Sequence, residues 1–342
     1  MGQVTTIGLD IAKSTFQVHG IDATGEVILR RRLTRARVAA FFAKLAPCLV
    51  GIEACATSHH WARELRKIGH DVRLMPPSYV KAYVKRQKND TADAEAICEA
   101  VTRPTMRFVE VKSPEQQSIM VVHGTRTMLM RQRIQLSNAI RGHMAEFGVV
   151  APVGREGLLS LTDTLHDEAD DQVPAEARHC LQMLAAQLRL VNAQILENDR
   201  RIRASARATD VGRRLMGIPG VGPVLASAFV ATVPDPHAFR SGRSLAAWIG
   251  LVPRQNSSGG KERLGGITKQ GNRYLRQLLF VGAMAVIRYA ERHGTRRPWL
   301  VQLLARRTTK VAAAALANKT ARMVWAIMTS GQPYKEPELR AA

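Results

Sequence analysis

Long hydrophobic runs are missing from this chain of 342 residues. The longest strongly apolar stretch, Leu278 to Ile287, has ten residues, whereas a helix that spans a membrane needs about 20. The opening residues MGQVTTIGLD also lack the basic and then apolar pattern of a secretion signal. The sequence therefore predicts a cytoplasmic protein without a membrane partner.

Cysteine is scarce, and its spacing matches no known motif. The four cysteines are Cys48, Cys55, Cys98 and Cys180. They form no CxxC pair and have no metal-like spacing with histidine, which excludes a disulfide scaffold and a zinc ribbon. We expect four buried thiols in a reducing compartment.

Acidic residues are few in the C-terminal part of the chain. Residues 200–342 hold 25 basic and 6 acidic side chains, which gives +19 of the total formal charge of +22. Of those basic residues 20 are Arg, whose planar guanidinium suits phosphate. Hydrophobic residues make up 46% of the chain, enough for packed cores. This distribution of charge predicts a nucleic-acid partner.

Three β-rich runs open the chain, at residues 4–10, 15–21 and 27–33. A helix from 34 to 46 follows, with Thr34 as its N-cap, and then come a strand at 48–53, a helix at 58–68, a strand at 71–75 and a helix near Asp90. This order is typical of a ribonuclease H-like (RuvC-like) α/β domain, which we assign to residues 1–112. The actin-like kinase fold begins in the same order, so the pattern alone does not separate the two.

A heptad pattern marks the central segment, residues 113–205, because its apolar residues step by three and four. These positions, with one polar residue among them, are Leu181, Leu184, Leu188, Val191, Ile195, Asn198 and Ile202. The stretch from Ile119 to Phe147 is also helical in period. Two interpretations stay open: a coiled-coil hairpin or dimerisation arm, and two ordinary amphipathic helices inside one domain.

The last segment, residues 206–342, is predicted to be mostly helical and contains GIPGVGP at 217–223. Such a turn between helices is typical of helix-hairpin-helix modules, whose backbone N–H groups contact phosphate, so Gly220 and Gly222 are candidate nucleic-acid ligands. Helices at 245–251, 272–291 and 306–328 are predicted around a Gly-rich loop at 253–266.

Four acidic residues occupy positions that a ribonuclease H-like fold brings together. Asp10 ends the first strand, Glu53 ends the fourth, and Asp90 and Asp93 share one face at the start of a helix. Taken singly, each acid is better explained as a helix cap or as part of a surface salt bridge. Together they predict a site for Mg²⁺ or Mn²⁺ that serves phosphoryl transfer.

A second candidate site is the loop NSSGGKER, residues 256–263, in which Gly259-Gly260 lets the backbone approach a phosphate. Basic residues in or after this loop are candidate phosphate ligands: Lys261, Arg263, Lys269, Arg273 and Arg276. Ser257 or Ser258 is either a phosphate ligand or a nucleophile. A nucleophilic serine needs an activating base or metal, and the nearest histidine in sequence is His237, so these residues alone favour phosphate contact.

These motifs resemble the DEDD-type transposases of bacterial insertion sequences, relatives of the Piv DNA invertase, over nearly the whole chain. The resemblance is carried by GLDIAK around Asp10, GIEA around Glu53, KNDTADAEAI around Asp90 and Asp93, then GIPGVGPVLA and SLAAWIGLVPRQNSSGGKERLGGITKQGNRYLRQLL. Each motif alone is modest, but the four acids followed by this C-terminal block are specific.

The resemblance implies a RuvC-like domain, a coiled coil, a helical transposase domain, and DNA recombination at the bacterial nucleoid. It implies that the acids of one subunit bind Mg²⁺ while a serine of another forms a covalent phosphoserine with DNA. The serine directly before glycine is Ser258, and Ser257 stays an unresolved neighbour. The resemblance also implies a structured non-coding guide RNA (a bridge RNA) that pairs with donor and target DNA. With the coiled coil pairing subunits, we expect a tetramer arranged as a dimer of dimers.

Two other functions fit the same residues. A RuvC-like nuclease would hydrolyse DNA junctions with water, and it would need the acids but no serine. A non-catalytic nucleic-acid-binding protein would need only the helix-hairpin-helix turn and the basic C-terminal segment.

The charge of the C-terminal segment predicts that nucleic-acid binding weakens steeply with salt, because each neutralised phosphate releases about one counterion. With six or more such contacts, the affinity should fall roughly 10³-fold between about 50 and 200 mM salt. Fluorescence anisotropy of a labelled DNA duplex at several salt concentrations measures this slope. An affinity independent of salt would contradict a phosphate-binding role for the basic residues.

Overall fold

The structure is a computed structural model that describes residues 2–85, 89–166, 172–294 and 297–336. It contains two compact units: unit 1 is Met1–Pro114 with Val233–Asp235, and unit 2 is Glu115–Thr232 with Pro236–Ala342. The finer division into three segments, with boundaries at 112 and 205, stays a prediction.

Unit 1 combines a sheet with short helices. Its described strands and α-helices are β1 (Thr6–Ile11), β2 (Thr15–Ile21), β3 (Val27–Thr34), α1 (Val38–Phe42), β4 (Leu49–Glu53), α2 (Ser58–Ile68), β5 (Asp71–Met75), α3 (Pro77–Val80) and α4 (Asp90–Val101).

The strands of unit 1 form one sheet in the order β3-β2-β1-β4-β5. The pairs β1–β2 and β2–β3 are antiparallel, whereas β4 is parallel to both β1 and β5. The central strand β1 is covered on both faces, and its Ile7 and Leu9 are fully buried. This mixed α/β unit, followed by a mostly helical unit, is compatible with a ribonuclease H-like transposase fold.

Helix α4 packs closely on the sheet because two facing positions are glycines. Gly8 of β1 and Gly51 of β4 are neighbours in the parallel register. A Cβ atom at Gly8 would lie 2.1 Å from the carbonyl oxygen of Ala94 in α4, and one at Gly51 would lie 2.8 Å from the Cβ of Val101. Any side chain at these two positions would push α4 off the sheet.

Unit 2 is mostly helical. Its described elements are α5 (Pro114–Ala145), α6 (Arg155–Thr164), α7 (Ala175–Ala208), α8 (Asp210–Leu215), α9 (Pro223–Thr232), α10 (Gly242–Ile249), β6 (Pro253–Gln255), β7 (Leu264–Ile267), α11 (Arg273–His293), α12 (Pro298–Arg306) and α13 (Thr309–Ser330).

The long helices α5 and α7 pack against each other within the chain. Leu129 of α5 forms a cluster with Val191 and Ile195 of α7, and Arg126 is paired with Asp199 across the two helices. Most of the predicted heptad seam is buried: Leu181, Leu188, Val191, Ile195 and Ile202 are buried, and Leu184 is partly buried. Either interpretation of the seam accommodates this packing, so pairing of subunits through it stays a prediction.

Several predicted boundaries were wrong. The helix predicted from Thr34 begins later, at Val38 after a 3₁₀ turn, because Thr34 remains paired with Thr15 in the sheet and makes no capping bond. The helix predicted at 306–328 is α13, which begins three residues later, at Thr309, because the backbone of Arg307 and Thr308 is extended; α12, which ends at Arg306, was not predicted. The predicted loop at 253–266 contains the β6–β7 hairpin. Its second strand, LGGI, has none of the alternation of apolar and polar residues that marks strands.

The expectation of four buried thiols was also wrong in part. All four cysteines are free, and Cys48 and Cys98 are buried. Cys55 and Cys180 are exposed, because Cys55 follows the end of β4 and Cys180 lies on the outer face of α7. In the described ranges, no helix is both long enough and apolar enough to cross a membrane.

The packing of α4 predicts that Gly8→Ala destabilises the protein, because the new Cβ would meet backbone atoms that cannot move aside. We expect a loss of about 3 kcal/mol in the free energy of unfolding, the upper end for an overpacked core. Gly124→Ala in α5 is the matched control, since a Cβ there meets nothing within 4 Å, and it should stabilise the helix by about 0.5–1 kcal/mol. Equal effects of the two substitutions in urea unfolding would contradict this account.

Candidate active site

The four predicted acids are brought to one end of unit 1 by the docking of α4. Side chains alternate along a strand, so Asp10 faces the same side as Gly8, and Glu53 faces the same side as Gly51. Since α4 covers both glycines, the two carboxylates lie on the side of the sheet that α4 covers. The first turn of α4 carries Asp90 and Asp93.

The start of α4 is fixed by a capping residue. Asn89 is extended, and its side-chain oxygen accepts a hydrogen bond of 2.8 Å from the backbone N–H of Ala92. The backbone N–H of Asp93 donates to the carbonyl of Asn89 at 3.0 Å. This N-cap sets where the helix begins and therefore where Asp90 and Asp93 project.

The charges at this site repel one another. The pKa of Asp10 is raised from 3.8 to about 6, first by burial and then by the carboxylates of Asp93, Asp90 and Glu53, in that order of importance. The backbone N–H of Ile11 offsets part of the shift. The structure therefore brings all four predicted acids near enough to affect the ionisation of Asp10.

The chemistry of this donor set fits a hard divalent cation. Mg²⁺ and Mn²⁺ prefer carboxylate oxygens, and a cation would relieve the part of the rise in the pKa of Asp10 that comes, after burial, from the neighbouring carboxylates. In the described residues, however, no three acidic, His or Cys side chains have a metal-binding arrangement. Cation binding would thus require the carboxylates to turn toward a common point.

A cavity of about 580 Å³ opens beside the acids in unit 1. Its lining includes Gln17 of β2 and Arg30 of β3, together with Asn89, Asp90 and Glu95 at the start of α4. The sequence analysis missed Gln17 and Arg30 because they belong to no motif. The strand pairing could have indicated both residues. Gln17 of β2 pairs with Asp10 of β1. His19 lies two residues after Gln17, on the same face of β2, and pairs with Arg30 of β3.

Both predicted serines lie in unit 2, near the tip of the β6–β7 hairpin. The backbone N–H of Lys261 donates to the carbonyl of Ser258 at 3.1 Å, and Gly259 and Gly260 have φ values of +55° and +75°. Two consecutive positive φ values identify a type I′ turn, which glycine adopts without strain. Backbone geometry therefore explains the two glycines of the turn sequence SGGK.

The two serines differ in what their hydroxyl groups contact. Ser257 Oγ accepts a hydrogen bond of 3.1 Å from the backbone N–H of Arg263, which ties it to the opposite strand of the hairpin. Both serines are exposed. In the part of the chain that the structure describes, the Ser258 hydroxyl has no hydrogen-bond partner. Only Ser258 thus has a hydroxyl group that is not used to hold the turn.

The predicted phosphate ligands divide into two groups. Lys261, Arg263, Lys269 and Arg273 are exposed and could reach a polyanion, and Lys269 has a φ of +58°, an uncommon value for a residue with a side chain. Arg276 instead donates to the carbonyls of Ile249 (2.6 Å) and Gln270 (3.1 Å). It holds the base of the serine hairpin, so a second role in phosphate binding stays a prediction.

The two predicted glycine ligands in the turn between α8 and α9 also differ. A Cβ atom at Gly220 would lie 2.8 Å from the carbonyl oxygen of Gly282 in α11, so Gly220 is needed for the packing of the turn on that helix. Gly222 is exposed and has open space around it. Gly222 is therefore the better placed of the two for a phosphate contact.

Comparison with known families covers both units. Residues 7–148 match the family DEDD_Tnp_IS110, described as a transposase, and residues 212–297 match the "Transposase IS116/IS110/IS902 family". The chain belongs to this transposase family. Membership in it decides against the actin-like kinase, and it makes the protein a DNA-binding and DNA-cleaving enzyme of an insertion sequence. DEDD transposases are generally metal-dependent.

Similar proteins are aligned over nearly the full length of this transposase. A "Probable family 20 transposase" of Pseudomonas aeruginosa is 47% identical, over 97% of this chain and 99% of the relative. The "Transposase for insertion sequence element IS1111A" of Coxiella burnetii is 40% identical, over 98% and 92%. The "Transposase for insertion sequence element IS1328" of Yersinia enterocolitica is 36% identical, over 98% and 100%.

The raised pKa of Asp10 predicts that Asp10→Asn stabilises the metal-free transposase at neutral and alkaline pH. A carboxyl group with a folded-state pKa of about 6 and an unfolded value of 3.8 destabilises the fold fully above pH 6, and this cost disappears as the pH falls toward the unfolded value. In EDTA the variant should melt higher than wild type at pH 7.5, and the difference should shrink toward pH 4.

Asp22→Asn is the control with the opposite sign. Hydrogen bonds from Thr24, and then from backbone N–H groups of the same turn, hold the pKa of Asp22 below its ordinary value. Asp22→Asn removes the carboxylate that these hydrogen bonds stabilise, so the variant should melt lower than wild type at pH 7.5. A pH-independent difference between Asp10→Asn and wild type would show that the pKa of Asp10 is not raised in the folded protein.

Proposed function

We propose that this transposase cleaves and rejoins DNA through a covalent phosphoserine formed by Ser258, with a divalent cation held by Asp10, Glu53, Asp90 and Asp93. The observation that carries the proposal is that Asp93, Asp90 and Glu53 lie near enough to Asp10 to add to the rise of its pKa that burial causes. An acidic cluster of this kind is expected where Mg²⁺ or Mn²⁺ serves phosphoryl transfer.

The serine step is proposed as a displacement at phosphorus. The Ser258 oxygen forms a bond to phosphorus, one P–O bond to a deoxyribose breaks, and the serine proton ends on the released sugar hydroxyl. A bound Mg²⁺ or Mn²⁺ would supply stabilisation of the phosphate charge and activation of the hydroxyl. The free hydroxyl of Ser258 at an exposed turn supports this choice over Ser257, whose hydroxyl holds the hairpin.

Basic residues near the serine would orient the phosphate. Lys261 closes the turn that carries Ser258, and the carbonyl of Arg263 accepts a hydrogen bond from the backbone N–H of Asn256. Both side chains are exposed beside the serine. We propose that they bind the phosphates on either side of the cleaved bond, since a guanidinium or ammonium group there can neutralise charge without a base contact.

The partners that we propose follow the family resemblance. A bridge RNA would pair with donor and target DNA, and the Arg-rich C-terminal segment would bind the nucleic-acid backbones. Acids and serine would come from different subunits of a dimer of dimers at the nucleoid. Met183 and Leu190 support subunit contact, because they are exposed apolar side chains seven residues apart on one face of α7.

A trapped reaction tests the covalent step. The full-length protein is mixed with the RNA transcribed from the flank of its element, supercoiled DNA that carries the element junction, a target plasmid and Mg²⁺. Trypsin then releases residues 255–261, which contain both serines, and mass spectrometry locates a nucleotide adduct. We expect the adduct on Ser258, no adduct or cleavage with Ser258→Ala, and retained binding but no cleavage with Asp93→Asn.

Ser257→Ala is the matched control for Ser258→Ala. It should keep the adduct at a reduced level, because it loosens the hairpin without removing the nucleophile. An adduct on Ser257 would reassign the nucleophile. Cleavage without an adduct, and unchanged in Ser258→Ala, would replace the recombinase with a hydrolytic RuvC-like nuclease. Absence of cleavage by the wild-type protein, with nucleic-acid binding unchanged when the four acids are replaced, would leave a non-catalytic nucleic-acid-binding protein.

A further inference from the structure

A second cavity lies within unit 2, away from the serine hairpin in sequence. Its volume is about 350 Å³, and it is lined by Pro219 of the turn between α8 and α9 and by Val286, Tyr289, Ala290, His293, Gly294 and Arg297. A volume of this size is at the lower end of small-ligand sites. The cavity joins the turn that contains Gly222 to the last two turns of α11.

One wall of this cavity is formed by the rings of Tyr289 and His293, which we call the aromatic platform. Tyr289 is 66% exposed. Aromatic residues make up only 5% of the chain. The rings of Tyr289 and His293 are stacked at a tilt of 39°, with their centroids 4.6 Å apart. One helical turn separates the two residues, so both rings are on the same face of α11. This stacked pair leaves a ring face of Tyr289 available to a flat ligand.

The charge around the platform favours an anionic ligand. Arg288 and Arg292 precede and follow Tyr289 on α11 and are exposed, and they outnumber the exposed Glu291 between them. Arg297 is occupied by Glu336 and the hydroxyl of Tyr334. The open backbone around Gly222, three residues after Pro219, offers a further phosphate contact. A flat aromatic surface next to guanidinium groups matches a nucleotide, which combines a π-face with a phosphate.

We propose that this cavity binds an unpaired nucleotide of a single-stranded nucleic acid, whose base stacks on Tyr289 while Arg288 and Arg292 contact its phosphates. The inference rests on the nucleic-acid binding in the proposed function, but it does not depend on the covalent serine step. Paired bases are stacked inside a duplex and cannot lie on the ring. The site therefore selects single-stranded loops or displaced strands.

The test uses the full-length protein in EDTA, which prevents cleavage and separates this site from the catalytic one. Fluorescence anisotropy measures the affinity for a labelled single-stranded oligonucleotide as DNA and as RNA, for the DNA duplex of the same sequence, and for an abasic strand that keeps the phosphates. Tyr289→Ala should weaken binding of the base-containing single strand by roughly 5- to 100-fold, the effect of losing one base–aromatic stack.

Two variants control for the ring and for the helix. Tyr289→Phe keeps the stacking surface and should bind as wild type does. Val281→Ala removes another exposed apolar side chain of α11, two turns earlier, and should leave every affinity unchanged. Because Tyr289 and Val281 are exposed, neither substitution should change the melting temperature by more than a degree or two.

The four oligonucleotides show whether the proposal holds and which nucleic acid occupies the site. A loss confined to the RNA strand assigns the site to a guide RNA, and a loss confined to the DNA strand assigns it to an unpaired DNA strand. Equal losses for both strands assign it to any unpaired base. The proposal is overturned by unchanged binding in Tyr289→Ala, or by a loss as large for the duplex or the abasic strand.

Discussion

The close approach of α4 to the middle of the sheet is the contact on which the acid site depends. It is possible because Gly8 and Gly51 are neighbours in the parallel register of β1 and β4 and have no side chains. The alternation of a strand then places Asp10 and Glu53 two residues further along, on the side that the helix covers. One packing contact thus determines the position of carboxylates that are far apart in sequence.

The two units have opposite electrostatic character where their candidate chemistry lies. Burial and the neighbouring acids of unit 1 raise the pKa of Asp10, whereas residues 200–342 carry a formal charge of +19. A nucleic acid would neutralise the positive charge of residues 200–342, and the proposed divalent cation would neutralise the acids. A complex with both is therefore better balanced than the protein alone, which is what a nucleic-acid-processing enzyme requires.

Much of unit 1 could be predicted from the sequence because its strands and helices follow simple patterns. The predicted bounds of β2, α2 and β5 agree with the structure, since turn residues or prolines limit each of them. That Glu53, Asp90 and Asp93 lie near Asp10 could be predicted, because strand ends and helix starts occupy known places in such a fold. Their incomplete convergence could not, because it depends on side-chain rotation within a shared electrostatic field.

Unit 2 was harder to predict, for physical reasons that differ between its elements. The strands of the serine hairpin are short and glycine-rich, so they have no hydrophobic period. Arg276 resembles a phosphate ligand in sequence, but the carbonyls of Ile249 and Gln270 occupy its guanidinium. The cavity at Tyr289 joins α11 to a turn about 70 residues earlier, and no local pattern indicates such a contact.

The type I′ turn at the hairpin tip affects how copies of this insertion sequence should be compared. Positive φ values at Gly259 and Gly260 are demanded by the backbone, whatever the protein catalyses. A copy that has lost activity but still folds would retain both glycines. Persistence of the glycine pair among decaying copies would therefore record selection for a foldable hairpin, whether or not those copies still transpose.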